Sequence, residues 1–380
     1  MQHQTTLQLE PEPKLDDNVV QLGDENEEKW LDALKELKQA KEISLDLETY
    51  GEENEQDGLN PWRGKVRLMQ IGLPSGLVIV VDFGSPFHDR ASRWKLIKTR
   101  LMPILRPILE SRNVLKLFHN GKFDMLYLLV QFGIRVRRVF DSMLASQLIR
   151  AGLQSKGLHT LKRVANDFLG IEVDKQQQNS SWSAPNLSNA QINYGAEDAR
   201  VLHPLKQKLK ERLQQDRLIR QAKIEMNALP AIVEMIYNGV PVDVSEVDEA
   251  IEKYENCRQD ILKPFYEAFG ENANPDMDPN QLVELAREKL GVDISSTKKD
   301  ELAFHKGVPA LRALGLARSL KKQIDQLETI KEAEHNGRVC GDIVQIAPKG
   351  FGRITCKKGA IGGMILQQIP KPLTDPEIKP

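Results

Sequence analysis

Residues 43–48 read ISLDLE, and this short stretch sets the fold class of the first half of the chain. Apolar residues at positions 43, 45 and 47 alternate with polar ones, which is the two-residue period of a half-buried β-strand. Side chains two apart on a strand face the same side, so the carboxylates of Asp46 and Glu48 converge on one surface. A single acid pair of this kind most often lies on a solvent-exposed face, so other segments must show whether these acids belong to a functional site.

The segments around this strand predict a mixed α/β domain. In chain order the predicted elements are a helix at residues 26–40, strands at 43–48, 66–71 and 77–82, a helix at 94–110, a strand at 114–118 and a helix at 123–132. Strands that come first as a hairpin and later alternate with helices predict a mixed sheet. This domain is expected to end near Leu213.

The composition limits the classes of function. The chain has 53 Lys and Arg against 54 Asp and Glu, so a nucleic-acid groove must come from local clustering. Its three cysteines are widely spaced, which predicts neither a disulfide framework nor a zinc site. No apolar run approaches the roughly 20 residues that span a bilayer, and a cytoplasmic location is expected. Residues 1–18 are polar and predict a flexible leader.

Two later motifs contribute further acids. The sequence HNGKFD at residues 119–124 lies at a predicted strand-to-helix junction and ends on Asp124, whereas YGAED at 194–198 places Tyr194 and Asp198 on one helix face. Carboxylate oxygens are the ligands that Mg²⁺ prefers, and phosphodiester hydrolysis benefits from two such ions about 3.5–4 Å apart. Taken alone, however, Asp124 is typical of an acid in the first turn of a helix, and Tyr194 is typical of an aromatic residue in a hydrophobic core.

The order D-x-E, N-x-x-x-D and Y-x-x-x-D resembles the three exonuclease motifs of the DEDD superfamily in its tyrosine subclass, over about residues 30–213. This resemblance implies a ribonuclease H-like fold and a 3′-5′ exonuclease that uses two divalent metal ions, Mg²⁺ or Mn²⁺. The implied catalytic residues are Asp46, Glu48, Asp124, Tyr194 and Asp198, and the four acids are the implied metal ligands.

The resemblance also implies individual roles. Asp46, Glu48 and Asp198 hold the tighter metal ion, Asp46 contacts the second, and Asp124 acts through metal-bound water. Tyr194 positions the attacking water, since an unperturbed tyrosine titrates near pH 10 and is a poor base at neutral pH.

The other residues of the second motif receive weaker assignments. Asn120 is implied to contact nucleic acid. Lys122 is interpreted as a surface lysine, and His119 as a satisfied turn histidine.

Beyond residue 213 the pattern is mostly helical and resembles DNA polymerases of the polymerase I type (family A). Residues 226–243 resemble the segment that opens the polymerase part, and residues 274–291 resemble its thumb. Within the glycine-rich end of the chain, Arg353 and Gln367 are implied to contact DNA in the minor groove. The expected domains are a leader at 1–18, the exonuclease domain at 19–213, a helical thumb-like domain at 214–335 and an incomplete palm segment at 336–380.

The polymerase resemblance leaves the partners open. The chain stops at Pro380, before the catalytic aspartates of the palm, so no polymerase activity is expected from it alone, and a second chain with palm and fingers is one hypothesis. The expected substrate is DNA, as a single-stranded 3′ end or a primer–template duplex, in replication or repair. One alternative is ribonuclease D-like trimming of RNA 3′ ends, which the sequence of residues 66–72 favours. Another is a non-catalytic DNA-binding subunit of a split polymerase.

Overall fold

A computed structural model describes residues 13–22, 27–85, 90–151, 153, 155–172, 177, 180–346 and 355–357. These residues form two compact units. The first contains the residues up to 238 together with those from 342 onward, and the second contains residues 239–341. No helix in the described part of the chain has the length and apolar character needed to cross a membrane.

A six-stranded sheet forms the centre of the first unit. Its strands are β1 (Val19–Gln21), β2 (Glu42–Tyr50), β3 (Lys65–Gly72), β4 (Val78–Asp82), β5 (Leu115–Phe118) and β6 (Val139–Asp141). They lie in the order β1-β4-β3-β2-β5-β6. β2, β3 and β4 are antiparallel neighbours, whereas β1 runs parallel to β4, and β5 and β6 continue from β2 in parallel. The mixed sheet predicted from the sequence is confirmed, and the long strand β2 lies inside it.

Helices cover both faces of this sheet. The helices of the first unit are α1 (Glu27–Gln39), α2 (Arg90–Leu96), α3 (Met102–Glu110), α4 (Lys122–Phe132), α5 (Ser142–Ile149), α6 (Leu161–Leu169), α7 (Asn189–Arg200), α8 (Leu202–Gln215) and α9 (Ile219–Asn238). The apolar residues of β2 at 43, 45 and 47 pack into the large core with α1, α3 and α4. Tyr50 and Leu68 instead belong to a smaller core with Ile192, Ala196 and Ala199 of α7. The period-two alternation of β2 therefore sends its polar positions towards the α7 side.

The helix predicted at residues 94–110 is divided into two. A π-helical turn at Ile97–Leu101 separates α2 from α3. Pro103 follows directly and has no N–H to continue the regular hydrogen bonds. Thr99 Oγ1 also donates to the carbonyl of Lys95 at 2.9 Å, a back-bonding pattern that bends helices.

The N-terminal segment contacts the domain before β1 begins. The backbone N–H of Asp16 donates to Asn193 Oδ1 at 3.0 Å, and Arg200 Nη1 donates to Asp16 Oδ2 at 3.0 Å. Residues 13–18, which the sequence assigned to a flexible leader, are thus bonded to α7. The strand β1 was not predicted, because three residues are too few to display a period.

The second unit is mostly helical. Its elements are β7 (Val240–Pro241), α10 (Val244–Ile261), α11 (Lys263–Phe269), α12 (Pro279–Leu290), α13 (Lys299–Phe304), α14 (Pro309–Ala333), β8 (Glu334–His335) and β9 (Arg338–Val339), after which β10 (Asp342–Val344) and β11 (Thr355–Lys357) belong to the first unit. The chain passes from α10 to α11 at Leu262, because Pro264 favours the first turn of a new helix. The domain boundaries expected from the sequence stay predictions.

A buried arginine fixes the segment that leads into α7. Arg67 on β3 is fully buried, and its Nε donates to Asp82 Oδ1 at 2.7 Å. The rest of the guanidinium donates to the carbonyls of Trp182 at 3.1 Å, Ala184 and Pro185. A charge that is removed from water needs this complete set of partners, so β3 and residues 182–185 are held together.

Arg67→Met is expected to lower the free energy of unfolding by about 3–5 kcal/mol, because it removes the buried partner of Asp82 and leaves three carbonyls without the donor that Arg67 supplies. Chemical denaturation followed by circular dichroism measures this loss. Arg93→Met is the matched control, since Arg93 binds the same Asp82 at 2.7 Å from a half-exposed position and is expected to cost under about 1 kcal/mol. Equal losses in the two variants would contradict the assignment.

Candidate active site

Three carboxylates meet beside β2. The ligand oxygens of Asp46, Glu48 and Asp198 all lie within 4.8 Å of one another. Asp46 and Glu48 are half-buried on β2, whereas Asp198 on α7 is only 5% exposed. The strand period and the helix spacing identified in the sequence therefore bring these three acids together.

The cluster depends on a close approach of α7 to the sheet. Ser44 Oγ on β2 donates to the carbonyl of Ala199 on α7 at 2.7 Å in a buried position. A Cβ atom at Gly72 would lie 2.3 Å from that hydroxyl oxygen, and one at Gly195 would lie 2.2 Å from Nε2 of Gln70. Both contacts are far below van der Waals distance. Glycine at these two positions therefore allows α7 to place Asp198 against β2.

Tyr194 lies next to the acids and keeps its proton. Its side chain forms a hydrogen bond with Asp198, and its ring centroid is 6.3 Å from that of Trp182. Burial, followed by the negative charges of Asp198, Glu48 and Asp46, raises the pKa of Tyr194 above its ordinary value. A phenol in this setting can donate a hydrogen bond but is a poor base at any physiological pH.

Asp124 lies beside Asp46 but outside the three-residue cluster. It occupies the first turn of α4, is 3% exposed and accepts a hydrogen bond from the backbone N–H of Leu47. Burial, and then the charge of Asp46, raise the pKa of Asp124 well above its ordinary range. The fourth predicted acid is thus adjacent to the site, in a position where a negative charge is disfavoured.

The loop before α4 is held by an acid to which sequence reasoning gave no role. Asp141 is 1% exposed and accepts hydrogen bonds from the backbone N–H groups of Asn120, Gly121 at 2.6 Å and Leu144 at 2.9 Å. Asn120 has φ 62°, in the left-handed region. Asp141 is the N-cap of α5, and the Asp-Ser pair ahead of an apolar run was a signal that could have located it.

The surroundings of Lys122 differ from those expected from the sequence. It was interpreted as a surface lysine, yet its ammonium group pairs with Asp342 and donates to the carbonyl of Ile343 at 2.9 Å. The partners lie 220 residues away in sequence, so no local pattern could predict them. His119 is a satisfied turn histidine as expected, with Nδ1 2.8 Å from Ser142 Oγ.

Gln70 is another residue that the sequence did not single out. It is directly opposite Asp46 in the β2–β3 register, and its side chain is fully buried. Neither atom of its carboxamide has a hydrogen-bond partner among the described residues. An uncompensated buried amide of this kind is rare in folded proteins.

The acids fit a metal ion by their chemistry. Three carboxylates within 4.8 Å repel one another unless positive charge lies between them, and oxygen ligands suit hard divalent cations. Asp46, Glu48 and Asp198 could therefore hold a divalent metal ion. Arg353 and Gln367, the other predicted nucleic-acid contacts, lie outside the described residues.

Comparison with known proteins decides the family. A family model described as 3′-5′ exonuclease matches residues 24–214, just over half of the chain, and this range contains every residue of the acid cluster. The chain belongs to the 3′-5′ exonuclease family. The family and the hydrolytic enzyme class predicted from the motifs are confirmed.

Individual relatives match this chain over different lengths. The DNA polymerase I of Aquifex aeolicus is 30% identical over 339 residues, which are 83% of this chain and 53% of the relative. A ribonuclease D of Gluconacetobacter diazotrophicus is 34% identical over 139 residues, which are 37% of this chain and 31% of the relative. The chain thus spans about half the length, or less, of the curated relatives it matches.

A solved structure shows the same fold over most of the chain. The polymerase domain of Pol1 from M. smegmatis, in complex with DNA primer-template and dNTP, has a TM-score of 0.67, with 18% identity. The match covers 94% of this chain and 56% of that one. The predicted fold class, a mixed α/β exonuclease domain followed by a mostly helical region, is confirmed.

Asp124→Asn is expected to stabilise the metal-free exonuclease domain by about 0.5–2 kcal/mol at neutral pH while lowering its activity. A carboxyl whose pKa is raised in the folded state contributes stability below its unfolded pKa and loses it as pH rises through the folded pKa. The ionised Asp124 therefore destabilises the fold at neutral pH, and asparagine removes that charge.

Urea denaturation in EDTA at a series of pH values measures the effect. The difference between the variant and the wild type is expected to shrink below about pH 4, where Asp124 is neutral in both the folded and the unfolded state. A gap that stays constant with pH would show that the charge of Asp124 is not its cause.

Proposed function

We propose that this chain removes nucleotides from DNA 3′ ends by metal-dependent hydrolysis, with Asp46, Glu48, Asp124, Tyr194 and Asp198 as its catalytic residues. The observation that carries the proposal is the convergence of three acids within 4.8 Å, with Tyr194 hydrogen-bonded to one of them. An acid cluster of this kind suits phosphodiester hydrolysis, because the divalent cations that it would hold neutralise charge on the anionic substrate.

Each residue has a role that its surroundings support. Asp46, Glu48 and Asp198 would hold one divalent ion, and Asp46 with Asp124 would hold a second, with Mg²⁺ or Mn²⁺ as the candidates. When bound, such ions supply charge neutralisation at the scissile phosphate and activation of water. The O–H of Tyr194 donates to Asp198, so its phenol oxygen would orient the attacking water by accepting a hydrogen bond from it. Asp141 would keep the Asn120 loop in position for the nucleic acid.

The extent of the polymerase match supports DNA rather than RNA as the substrate. The relative of polymerase I type aligns with 83% of the chain, whereas the ribonuclease D aligns with 37%. The same match supports a proposed role in DNA replication or repair. The thumb-like and palm-like assignments, the cytoplasmic location and a partner chain with the remaining polymerase part stay predictions.

The first test is removal of a metal ligand. Asp46→Asn and Asp198→Asn are each expected to lower the rate of DNA shortening by about 10³-fold, because metal coordination supplies several kcal/mol at the transition state. Asp32→Asn is the matched control. Asp32 is an exposed acid on α1, and its ion-pair partner among the described residues is Lys35.

Melting temperatures with and without Mg²⁺ accompany the rates. The wild type and the Asp32 variant should gain stability from the ion, and the two site variants should gain less. Full Mg²⁺-dependent activity in either site variant would refute the proposal.

The second test compares substrates. DNA and RNA strands of one sequence, both labelled at the 5′ end, are expected to differ at least tenfold in the rate of shortening, in favour of DNA. A DNA strand with a single 2′-hydroxyl at its terminal nucleotide is the sharpest probe, because it isolates the group that distinguishes RNA from DNA. Faster shortening of RNA would support the ribonuclease D-like alternative, and binding without cleavage under any metal would support a non-catalytic DNA-binding subunit.

A further inference from the structure

One segment of the chain has a large net positive charge. The whole sequence has a formal net charge of −1. Residues 90–138 nevertheless contain twelve Lys and Arg against two Asp and Glu, a net charge of +10 in 49 residues. Clustering on this scale is the electrostatic footprint expected of a polyanion-binding surface.

Part of this segment lines a groove in the exonuclease unit. Two neighbouring cavities of about 640 and 420 Å³ share Trp94, Gln131 and Phe132 as lining residues. The first also contains Lys65, and the second contains Lys98 and Arg106. The described lining residues of both cavities include no acid. We call this continuous surface the aromatic groove.

The divided helix explains how these side chains come together. Positions 94, 98, 102 and 106 follow one another at intervals of four, so they form a stripe along α2, the π-helical turn and α3. All four line the second cavity. The opposite wall is the end of α4, with Gln131 and Phe132.

The two aromatic rings can do more than pack. Trp94 and Phe132 lie 5.4 Å apart, and each also contacts the buried Phe83, at 6.1 and 5.4 Å. This packing anchors one side of each ring. Both residues are only half-buried, and their remaining surface lines the cavities, where a rigid aromatic face suits the stacking of a base.

The groove starts close to the acids. Lys65 is paired with Tyr50 in the β2–β3 register, and Tyr50 is two residues beyond Glu48 on β2. Two residues of a strand span about 7 Å, and the step to Lys65 on the neighbouring strand adds about 5 Å. A strand of nucleic acid whose 3′ end lies at the acid cluster could therefore reach the groove within a few nucleotides.

We propose that the aromatic groove binds the single-stranded segment that leads to the scissile 3′ end. Bases stack on Trp94 and Phe132, and phosphates contact Lys98. Lys65 and Arg106, which already pair with Glu52 and Glu110, contribute to the positive potential of the groove. This arrangement gives affinity without reading sequence, because every base has an aromatic face and every nucleotide a phosphate. The inference rests on the proposed function, since it assigns a path to the substrate of that site.

Charge reversal at one groove lysine tests the phosphate contacts. Lys98→Glu is compared with Lys95→Glu, because both residues are exposed on the same helical segment, neither has an ion-pair partner among the described residues, and only Lys98 lines the groove. Binding of a fluorescent 15-nucleotide single strand is followed by anisotropy in EDTA, at several salt concentrations. EDTA prevents cleavage, so binding is measured whether or not the proposed hydrolysis occurs.

Lys98→Glu is expected to weaken binding roughly tenfold and to reduce the slope of log K against log salt by about 0.7, the value of one phosphate contact on a single strand. Lys95→Glu should stay within about twofold of the wild type. Equal weakening by the two variants, or no weakening by Lys98→Glu, would overturn the proposal.

A second variant tests stacking. Trp94→Leu keeps an apolar side chain against Phe83 and is expected to weaken binding of the 15-mer roughly tenfold, while leaving cleavage of a dinucleotide near the wild-type rate, because a dinucleotide is too short to reach the groove. A melting curve confirms that the variant is folded. Absence of Mg²⁺-dependent cleavage of both the dinucleotide and the 15-mer in every protein, including the wild type, would refute the proposed function and leave the binding result standing. Unchanged 15-mer binding by a folded Trp94→Leu protein would refute stacking in the groove.

Discussion

Mutual repulsion among carboxylates is the constraint on which this structure depends. Two unit charges 4 Å apart interact by about 4 kcal/mol at an effective dielectric constant of 20, and three acids here lie within 4.8 Å of one another. The charge of Asp46 also helps to raise the pKa of a fourth acid, the buried Asp124. The fold must therefore supply, from packing elsewhere, the free energy that keeps these groups together. Acids held in this way are predisposed to bind divalent cations, because a cation relieves the repulsion that the fold has imposed.

Small side chains and one buried arginine hold α7 and its acid against the sheet. Gly72 and Gly195 remove the Cβ atoms that would separate α7 from the sheet, and Ser44 replaces the lost contact with a hydrogen bond. Arg67 then fixes the segment that leads into α7. It donates hydrogen bonds to Asp82 and to three backbone carbonyls within residues 182–185. The register between helix and strand is thus set by steric fit and a saturated buried charge. Both are rigid constraints, which suits a site that must hold metal ligands to within a few tenths of an ångström.

Local periodicity allowed the sheet and the acid cluster to be predicted from the sequence. The two-residue period of β2 placed Asp46 beside Glu48, and the four-residue spacing of Tyr194 and Asp198 placed them on one helix face. Contacts between distant segments could not be predicted in this way. The pairing of Lys122 with Asp342, 220 residues apart, leaves no pattern in either segment. The same holds for Gln70, since only the strand register puts it opposite Asp46.

The uneven charge along the chain has a consequence for how substrate and metal ions reach the site. A cluster of acids repels the phosphates of a nucleic acid, so the site by itself offers an incoming strand little affinity until cations are present. The aromatic groove, whose cations come mostly from the segment 90–138 with its net charge of +10, can attract the same strand without metal ions. Attraction and hydrolysis are then assigned to different surfaces of one domain, and salt should weaken the former more than the latter, because exposed lysines are screened and half-buried acids are not. A balanced total charge therefore conceals the property that matters, which is the separation of the two signs.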